Sequence, residues 1–442
     1  MFNREINWSK YAYVTYATEI NYLCSAIMNL AKLKTLYGSK AELVVLYDFY
    51  FGYKKGKPAS QQKTQEGKLI ANAIENYGIK FKSVPILHYK SEIIQWSRSF
   101  TKFWVFDQVQ YDRIVYFDTD CTVLQNMDEL FFIPPAAVAL PIVYHKFQDL
   151  NDDYKEVQEY LDLFKEDVAT VEERYSFIDD FKNGNLIGHE LFYYNDKDNT
   201  DEFYRSLYDG LPSMKTAMES LDRINLEFEL GDFLMVIQPS NKIFKDLLKL
   251  CGKKKSNEYD MDIINKYLNL KKLKLNKNNE YINEKKNTIE PLVLILPHNQ
   301  YGMLSGEFKV ADPLKHEVFL ADPMDIPLVG LIPQNEETGQ LPYWSYKNTK
   351  RRTNYGWDAN LYKERVSLIH FSDYPIPKPW YEQYLNEDTK HRVACRITED
   401  GEIGYIAGNT IIEDCDSVRI WNHLYTDYAH ERMDYCGLPL VP

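Results

Sequence analysis

Two aspartates one residue apart, Asp118 and Asp120, stand at the end of a short apolar run within IVYFDTDCTVL (114–124). Carboxylates at this spacing, just past a buried strand, can both turn toward one hard divalent cation. Mg²⁺ and Mn²⁺ favour such an oxygen-rich set, with phosphate oxygens of a ligand completing the shell. The thiols point away from metal chemistry, because the six cysteines form no C-x-x-C pair and a zinc site is not expected. Three of them (Cys395, Cys415, Cys436) fall near the C-terminus, a placement that fits a disulfide as well as buried thiols.

The acid pair needs a frame, and the first half of the chain supplies one. Residues 11–16 (YAYVTY) read as a buried strand. A helix over 19–37 follows, with Leu23, Ile27, Leu30 and Leu33 on one face and a stop before Gly38. Residues 41–47 form a second strand and 63–77 a helix ending at Gly78; 79–87 form a third strand. Ser91 is expected to cap a helix carrying Ile94, Trp96, Phe100, Phe103 and Trp104 before the strand 113–117. This alternation is that of a mostly parallel sheet with helices on both faces. Ligands on such sheets sit beyond the carboxyl ends of the strands, which is where Asp118 and Asp120 lie.

Later segments are less regular. Residues 148–181 are acid-rich, and 253–286 hold ten lysines with little apolar content; both read as surface insertions. The run 310–355 is a proline-punctuated loop. Strands are expected over 231–239 and 291–297, a helix capped by Ser240 over 242–250, and a closing helix over 416–435 ended by Gly437. With no internal repeat and no linker, one domain (1–380) carrying insertions at about 148–181, 253–286 and 310–355 is expected, followed by a helical extension (381–442). The composition bounds partners. The chain has 442 residues and a formal net charge of −13, which argues against general nucleic-acid binding. Tyrosine is abundant at 35, a residue suited to polar ligands such as sugars but also to biased codon usage.

The acid pair resembles two known arrangements. Apolar strand followed by D-x-D-x-T (Asp118, Asp120, Thr122) is similar to the first motif of haloacid-dehalogenase-type phosphatases, where Asp118 would be the nucleophile. The FIDDF acids Asp179 and Asp180 would then imitate a later metal-binding pair, although the D-x-D-x-T motif normally lies on the first strand and about three strand-helix units precede it here. The D-x-D is equally similar to the diphosphate-holding acids of glycosyltransferases, and four blocks resemble the retaining, glycogenin-like glycosyltransferases of family 8. These are VTYATEINY (14–22), Lys102 sixteen residues before Asp118, DMDIIN (260–265) and HFSDYPIPKPW (370–380). The stretches WSKYAYVTYATEINYLC, LPHNQYGMLSGEF and RIWNHLYTDYAHERMDYCGL resemble the fungal branch typified by the yeast Golgi N-acetylglucosaminyltransferase.

That resemblance implies a GT-A-type α/β fold: a mixed, mostly parallel sheet with a Rossmann-like nucleotide-binding half. It implies a metal-dependent, retaining transferase moving a sugar, with GlcNAc expected, from a UDP-sugar to a glycan or glycoprotein acceptor. Asp118, Asp120 and His370 would hold Mn²⁺ (or Mg²⁺), Lys102 and Lys378 would neutralise phosphate or hold donor hydroxyls, and Tyr16, Thr18 and Tyr22 would line the uridine pocket. Asp260 would sit at the donor sugar. The chain departs from the family pattern in three places. His370 and Lys378 are eight apart instead of six, Gly231-Asp232-Phe233 replaces N-S-G, and Met261 replaces a glutamine. These differences point to a changed donor sugar or, in a third reading, to a catalytically inactive sugar-binding relative. No apolar run reaches the roughly 18–20 residues that span a bilayer. The fungal relatives are anchored Golgi proteins, so the expected location is the Golgi lumen if an anchor was removed upstream, and otherwise the cytoplasm.

Overall fold

The structure is a computed structural model, which describes residues 6–48, 63–133, 136–145, 229–268, 280–283, 285, 288–296, 298–310, 316, 319, 357–373, 378–382, 393–395, 410–412 and 414–442. Its central sheet has seven strands: β1 (Tyr11–Ala17), β2 (Glu42–Asp48), β3 (Lys80–Val84), β4 (Arg113–Phe117), β6 (Val138–Pro141), β7 (Leu234–Ile237) and β8 (Val293–Leu296), in the order β8-β6-β7-β4-β1-β2-β3. All pair in parallel except β7, which runs antiparallel to both neighbours. This is the mixed, mostly parallel sheet expected from the sequence.

Every residue of β1 and β4 is buried, as strands covered on both faces require. On one side lie α1 (Ile20–Thr35) and α2 (Gln65–Tyr77); the other side carries the 3-10 segment Ser99–Asp107 and α3 (Asn241–Cys251), with α4 (Asp260–Leu268) against α3. The apolar face read for α1 is the buried one, with Leu23, Ile27, Leu30 and Leu33 all in the core. Thr64 caps α2 by accepting from the Gly67 amide, and Gly78 ends it at φ +67°, a conformation that favours glycine.

Two expectations are corrected. The region after Ser91 is not one helix but two 3-10 pieces, Ile94–Trp96 and Ser99–Asp107. Ser97 and Ser99 turn their hydroxyls onto the Ile94 and Trp96 carbonyls at 2.6 and 2.8 Å, competing for acceptors that a continuous helix would use. Nor is 253–286 only a solvated insertion, because α4 drives Ile263, Ile264 and Leu268 into the core. The insertion 148–181 and most of 310–355 lie outside the described residues.

A second, three-stranded sheet sets the site. β5 (Cys121–Val123) follows the acid pair directly and pairs antiparallel with β10 (Leu368–His370), which pairs in parallel with β9 (Met303–Leu304). The long helix α5 (Cys415–Cys436) closes the described chain and packs on α1. A disulfide, Cys24–Cys436, joins the two helices with 5.9 Å between Cα atoms, and Cys415 is also disulfide-bonded. Among the described residues no helix is long and apolar enough to cross a membrane.

Candidate active site

The register of the small sheet explains how distant residues meet. His370 is the strand partner of Cys121, and the Phe371 amide donates to the Asp120 carbonyl at 2.9 Å. The imidazole therefore hangs beside the second aspartate, with Nε2 3.5 Å from Asp120 Oδ1. Asn29 of α1 locks this arrangement from below. Its amide donates to the Cys121 carbonyl at 2.7 Å and accepts from the Val123 amide at 2.9 Å, serving as an extra strand edge. Behind His370, Asp373 accepts from Ser305 (2.5 Å), Trp421 (3.1 Å) and Tyr425 (2.5 Å), which ties the His370 loop to α5.

The two acids of the pair face different surroundings. Asp120 is 6% exposed and forms an ion pair with Lys378. Burial opposes its ionisation, but the Lys378 and His370 charges and hydrogen bonds outweigh it and hold the carboxyl well below its usual range. Lys378 is held above the usual lysine range: burial works against its charge, and Asp120 prevails. Its ammonium also lies 5.7 Å over the Tyr22 ring, which meets Trp380 edge-on at 4.8 Å. The K-P-W segment and the start of α1 thus form one wall. Thr18 lies in the turn between β1 and α1, partly exposed. Tyr16, buried in β1, lies nearly parallel to Tyr116 at 6.5 Å.

Asp118 belongs to a second cluster. Its carboxylate takes the Tyr116 hydroxyl on Oδ1 and the Lys102 ammonium on Oδ2 at 3.1 Å. Lys102, 1% exposed, also contacts Asp232 at 3.2 Å and Asp260 at 2.6 Å. One buried ammonium thus serves three carboxyls. Burial works against its charge, but Asp118, Asp232 and Asp260 outweigh it and hold the ammonium well above the usual lysine range. The acids share that charge unequally. Asp260 stays below its usual range despite burial, because Lys102 and the Ser99 hydroxyl (2.5 Å) stabilise its anion. Asp118 is pushed up, by burial first and by the neighbouring acids Asp120 and Asp260, against Lys102. Burial pushes Asp232 well up against the pull of Lys102, and Asp260 and Asp118 add to it.

Asp232 is the residue that sequence reasoning passed over. The signal was the Gly231-Asp232-Phe233 departure, and all three of its residues bear on the site. The Asp232 carboxyl meets Lys102, the Phe233 carbonyl accepts from the Asp118 amide at 2.8 Å, and the Phe233 ring stacks on His370 at 5.0 Å. Gly231 is required by close approach: a Cβ there would lie 2.6 Å from Phe233 Cε1 and push the ring. Asn265, in the DMDIIN block, holds the segment in place. It accepts from the Leu230 amide at 3.0 Å and donates to the Leu230 carbonyl at 2.9 Å.

The donor set suits a cation in part. Among the described residues, Asp120, Cys121 and His370 present ligand atoms within 4.8 Å of one another. The Asp120 carboxylate and imidazole form a mixed oxygen and nitrogen pair that Mn²⁺ accepts. Cys121 is a poor third ligand, because burial and the nearby Asp120 and Asp118 keep its thiol protonated. Asp118 stands outside that group, committed to Lys102 and Tyr116. That commitment also removes support from the phosphatase reading, which needs Asp118 free to attack; Asp179 and Asp180 lie outside the described residues.

No family model matches the chain. It is 28% identical over 465 residues to the protein named Glucose N-acetyltransferase 1 of Candida albicans, covering 97% of this chain and 85% of that protein. The protein of the same name in Debaryomyces hansenii is 29% identical over 472 residues, again covering 97% and 85%. That of Saccharomyces cerevisiae is 26% identical over 454 residues, covering 97% and 82%. Among solved structures, the galactosyltransferase LgtC with donor and acceptor sugar analogues matches at 10% identity and a TM-score of 0.41, covering 94% of this chain and 95% of that one. The apo bifunctional glycosyltransferase WbbM matches at 12% identity and a TM-score of 0.38, covering 86% and 48%.

Proposed function

We propose that the chain is a metal-dependent, retaining glycosyltransferase that moves a sugar, with GlcNAc as the expected one, from a UDP-sugar to a glycan acceptor. The observation that carries this reading is the convergence, at one strand end, of the Asp120–His370 pair, the Lys378 ammonium and the Lys102-centred acid cluster. A departing nucleoside diphosphate gains negative charge as the sugar bond breaks, and fixed cations stabilise it more in the transition state than in the ground state. Asp120 and His370, with Asp118 as a further candidate, would hold Mn²⁺ or Mg²⁺, which when bound supplies charge stabilisation to the diphosphate.

The remaining roles fall to the chain's own groups. Lys378, charged and already at the edge of the site, is suited to pair with phosphate. Tyr22 and Tyr16 offer ring faces for a uracil, with Thr18 in the turn between them. Lys102 orients Asp260 toward the sugar end. The names of the fungal relatives combine glucose with an N-acetyl group, which supports an acetamido sugar in the reaction. Read word for word, those names describe acetyl transfer, in which a thiolate departs and no diphosphate gains charge for Lys378 and the Asp120–His370 pair to stabilise. The disulfides support an oxidising compartment such as the Golgi lumen.

The test is UDP release from a panel of UDP-sugars with Mn²⁺, run beside acetyl-CoA as an alternative donor. UDP release that is greatest with UDP-GlcNAc and lost in EDTA is expected, with the anomeric configuration retained by NMR. No UDP from any donor would overturn the reading, and CoA release in its place would establish the acetyl-transfer one.

A further inference from the structure

Cys121 is the member of the site that the proposed chemistry leaves unused. β5 and β10 pair so that Cys121 stands opposite His370, and the Phe371 amide bonds across to the Asp120 carbonyl just outside that pair. A bond in that position brackets a non-hydrogen-bonded pair, whose Cα atoms lie only about 4.5 Å apart and whose side chains project to the same face. Thiol and imidazole are therefore neighbours by register. Asp120 joins them from the start of the strand, and one ligand atom from each of the three lies within 4.8 Å of the others. The Asp120 carboxylate keeps Oδ2 on Lys378 and turns Oδ1 toward His370 Nε2. His370 Nδ1 is buried without a hydrogen-bond partner among the described residues, so no other polar group claims that end of the ring. The sequence carries no zinc motif because these ligands meet only through the β5–β10 pairing.

We propose that Asp120, Cys121 and His370 form a binding site for Zn²⁺, and that this ion is an inhibitor that takes Asp120 and His370 away from the catalytic cation. Carboxylate, thiolate and imidazole are the ligand types of zinc sites, where three protein groups and an open position are a common arrangement. A thiol is protonated near neutral pH and adds little for Mn²⁺, but a thiophilic ion displaces the proton outright. The S–H bond breaks, a Zn–S bond forms, and one proton leaves to solvent. Zinc bonds of about 2.0–2.3 Å place tetrahedral ligands about 3.3–3.8 Å apart, so the three groups close by about 1–1.5 Å at most, a distance that side-chain rotation covers. The site stands on these three side chains; only the inhibition rests on the reading of the protein as a metal-dependent transferase. Zinc outranks manganese at most nitrogen and oxygen sites, so tighter Zn²⁺ binding alone decides nothing. What marks this site is its dependence on one sulfur.

The test follows Co²⁺, Zn²⁺ and Mn²⁺ binding to the full chain and to Cys121→Ser and Cys121→Ala, with melting curves as the folding control. Co²⁺ on wild type is expected to give the intense near-ultraviolet absorption of a thiolate–cobalt bond, bleached by Zn²⁺ and absent from both variants. Zn²⁺ affinity by calorimetry should fall by more than about 100-fold in the variants, beyond the loss of a merely supporting partner, while Mn²⁺ affinity stays within about threefold. Wild type should release one more proton per Zn²⁺ than Cys121→Ala, counted in buffers of different ionisation enthalpy. In UDP release with Mn²⁺, Zn²⁺ should inhibit wild type and lose potency in the variants by the same factor as its affinity. Wild type that binds Co²⁺ without the thiolate band overturns the site, and this result needs no variant to fold. A Zn²⁺ affinity unchanged by loss of the sulfur overturns it as well. A thiolate band with no effect of Zn²⁺ on UDP release overturns the inhibition. Absence of UDP release from every donor overturns the transferase reading instead, and the cobalt spectrum then decides the site alone.

Discussion

Replacing Asn265 by alanine tests how the site is held together. Leu230 makes a bridge with Ile142 on one side, through which Val143 donates to the Glu229 carbonyl and Gly231 to the Pro141 carbonyl. Its own amide and carbonyl face the other way, where no strand among the described residues pairs with them, and both end on the Asn265 side chain. Leu230 is fully buried, so water cannot take the place of that amide. Alanine leaves two buried backbone groups without partners, each costing about 1–3 kcal/mol, or about 2–6 kcal/mol together. That is a large share of the roughly 5–15 kcal/mol by which domains are stable. Asn265→Asp keeps the acceptor for the Leu230 amide but loses the donor to its carbonyl, and should lose at least half as much. Urea denaturation followed by tryptophan fluorescence gives the difference in stability. Donor turnover, measured where both proteins remain folded, should also fall, because Asp232 lies two residues beyond the clamp. A stability loss under about 0.5 kcal/mol, the range of ordinary surface substitutions, would refute the reasoning.

Further outcomes follow from other contacts. Asp120→Asn should weaken UDP binding in Mn²⁺ by more than about 100-fold, beyond the loss typical of a merely supporting partner, with little change in EDTA; calorimetry showing equal affinity in Mn²⁺ would contradict the ligand role. Cys24→Ser with Cys436→Ser opens a cross-link between residues 412 apart and should cost about 2–5 kcal/mol, read by calorimetry with and without reductant. Asp414 caps α5 by accepting from the Asp416 and Ser417 amides at 3.0 and 3.1 Å, and hydrogen bonds from Ser417 and Trp357 hold its carboxyl below the usual range although burial opposes this. A depressed folded-state pKa means that the charged cap contributes fully above the unfolded value of about 3.9 and is lost as the pH falls through the folded one. Asp414→Ala should therefore melt lower than wild type near neutrality, by about 1 kcal/mol in stability, and the gap should narrow in acid. A gap that widens below pH 4 would contradict the sign.

The central sheet was legible because its signals are local. Uninterrupted apolar runs mark β1 and β4, and the 3.6-residue spacing from Leu23 to Leu33 marks α1. Asp118 and Asp120 stood out for the same reason, at the end of such a run. What escaped was set by pairing across long stretches of chain. His370 was set beside Asp120 by the family resemblance alone, because their meeting depends on β10 pairing with β5 and no periodicity around residue 120 announces that partner. The clamps Asn29 and Asn265 look like ordinary helix residues, since their significance lies in the backbone groups they reach. Asp232 was visible as an oddity in its motif, but its meeting with Lys102 depends on β7 lying beside β4. The 3-10 pieces before β4 were misread as a helix because Ser97 and Ser99 leave the apolar spacing intact while diverting the carbonyls.

The fastening of α5 has a consequence for how the molecule is made. Beyond the Cys24–Cys436 bridge, α5 holds Lys32 through Glu431 at 2.8 Å, Asn21 through Arg432 at 2.5 Å, and the His370 loop through Trp421 and Tyr425. At about 5–20 residues per second of translation, a segment 412 residues downstream of Cys24 leaves the ribosome roughly 20–80 seconds later. During that interval the first strands and α1 can form, but the thiol of Cys24 waits without its mate and the loop bearing His370 lacks its Trp421 and Tyr425 anchors. A nascent chain stopped short of α5 would therefore carry both aspartates of the pair and still lack a finished site.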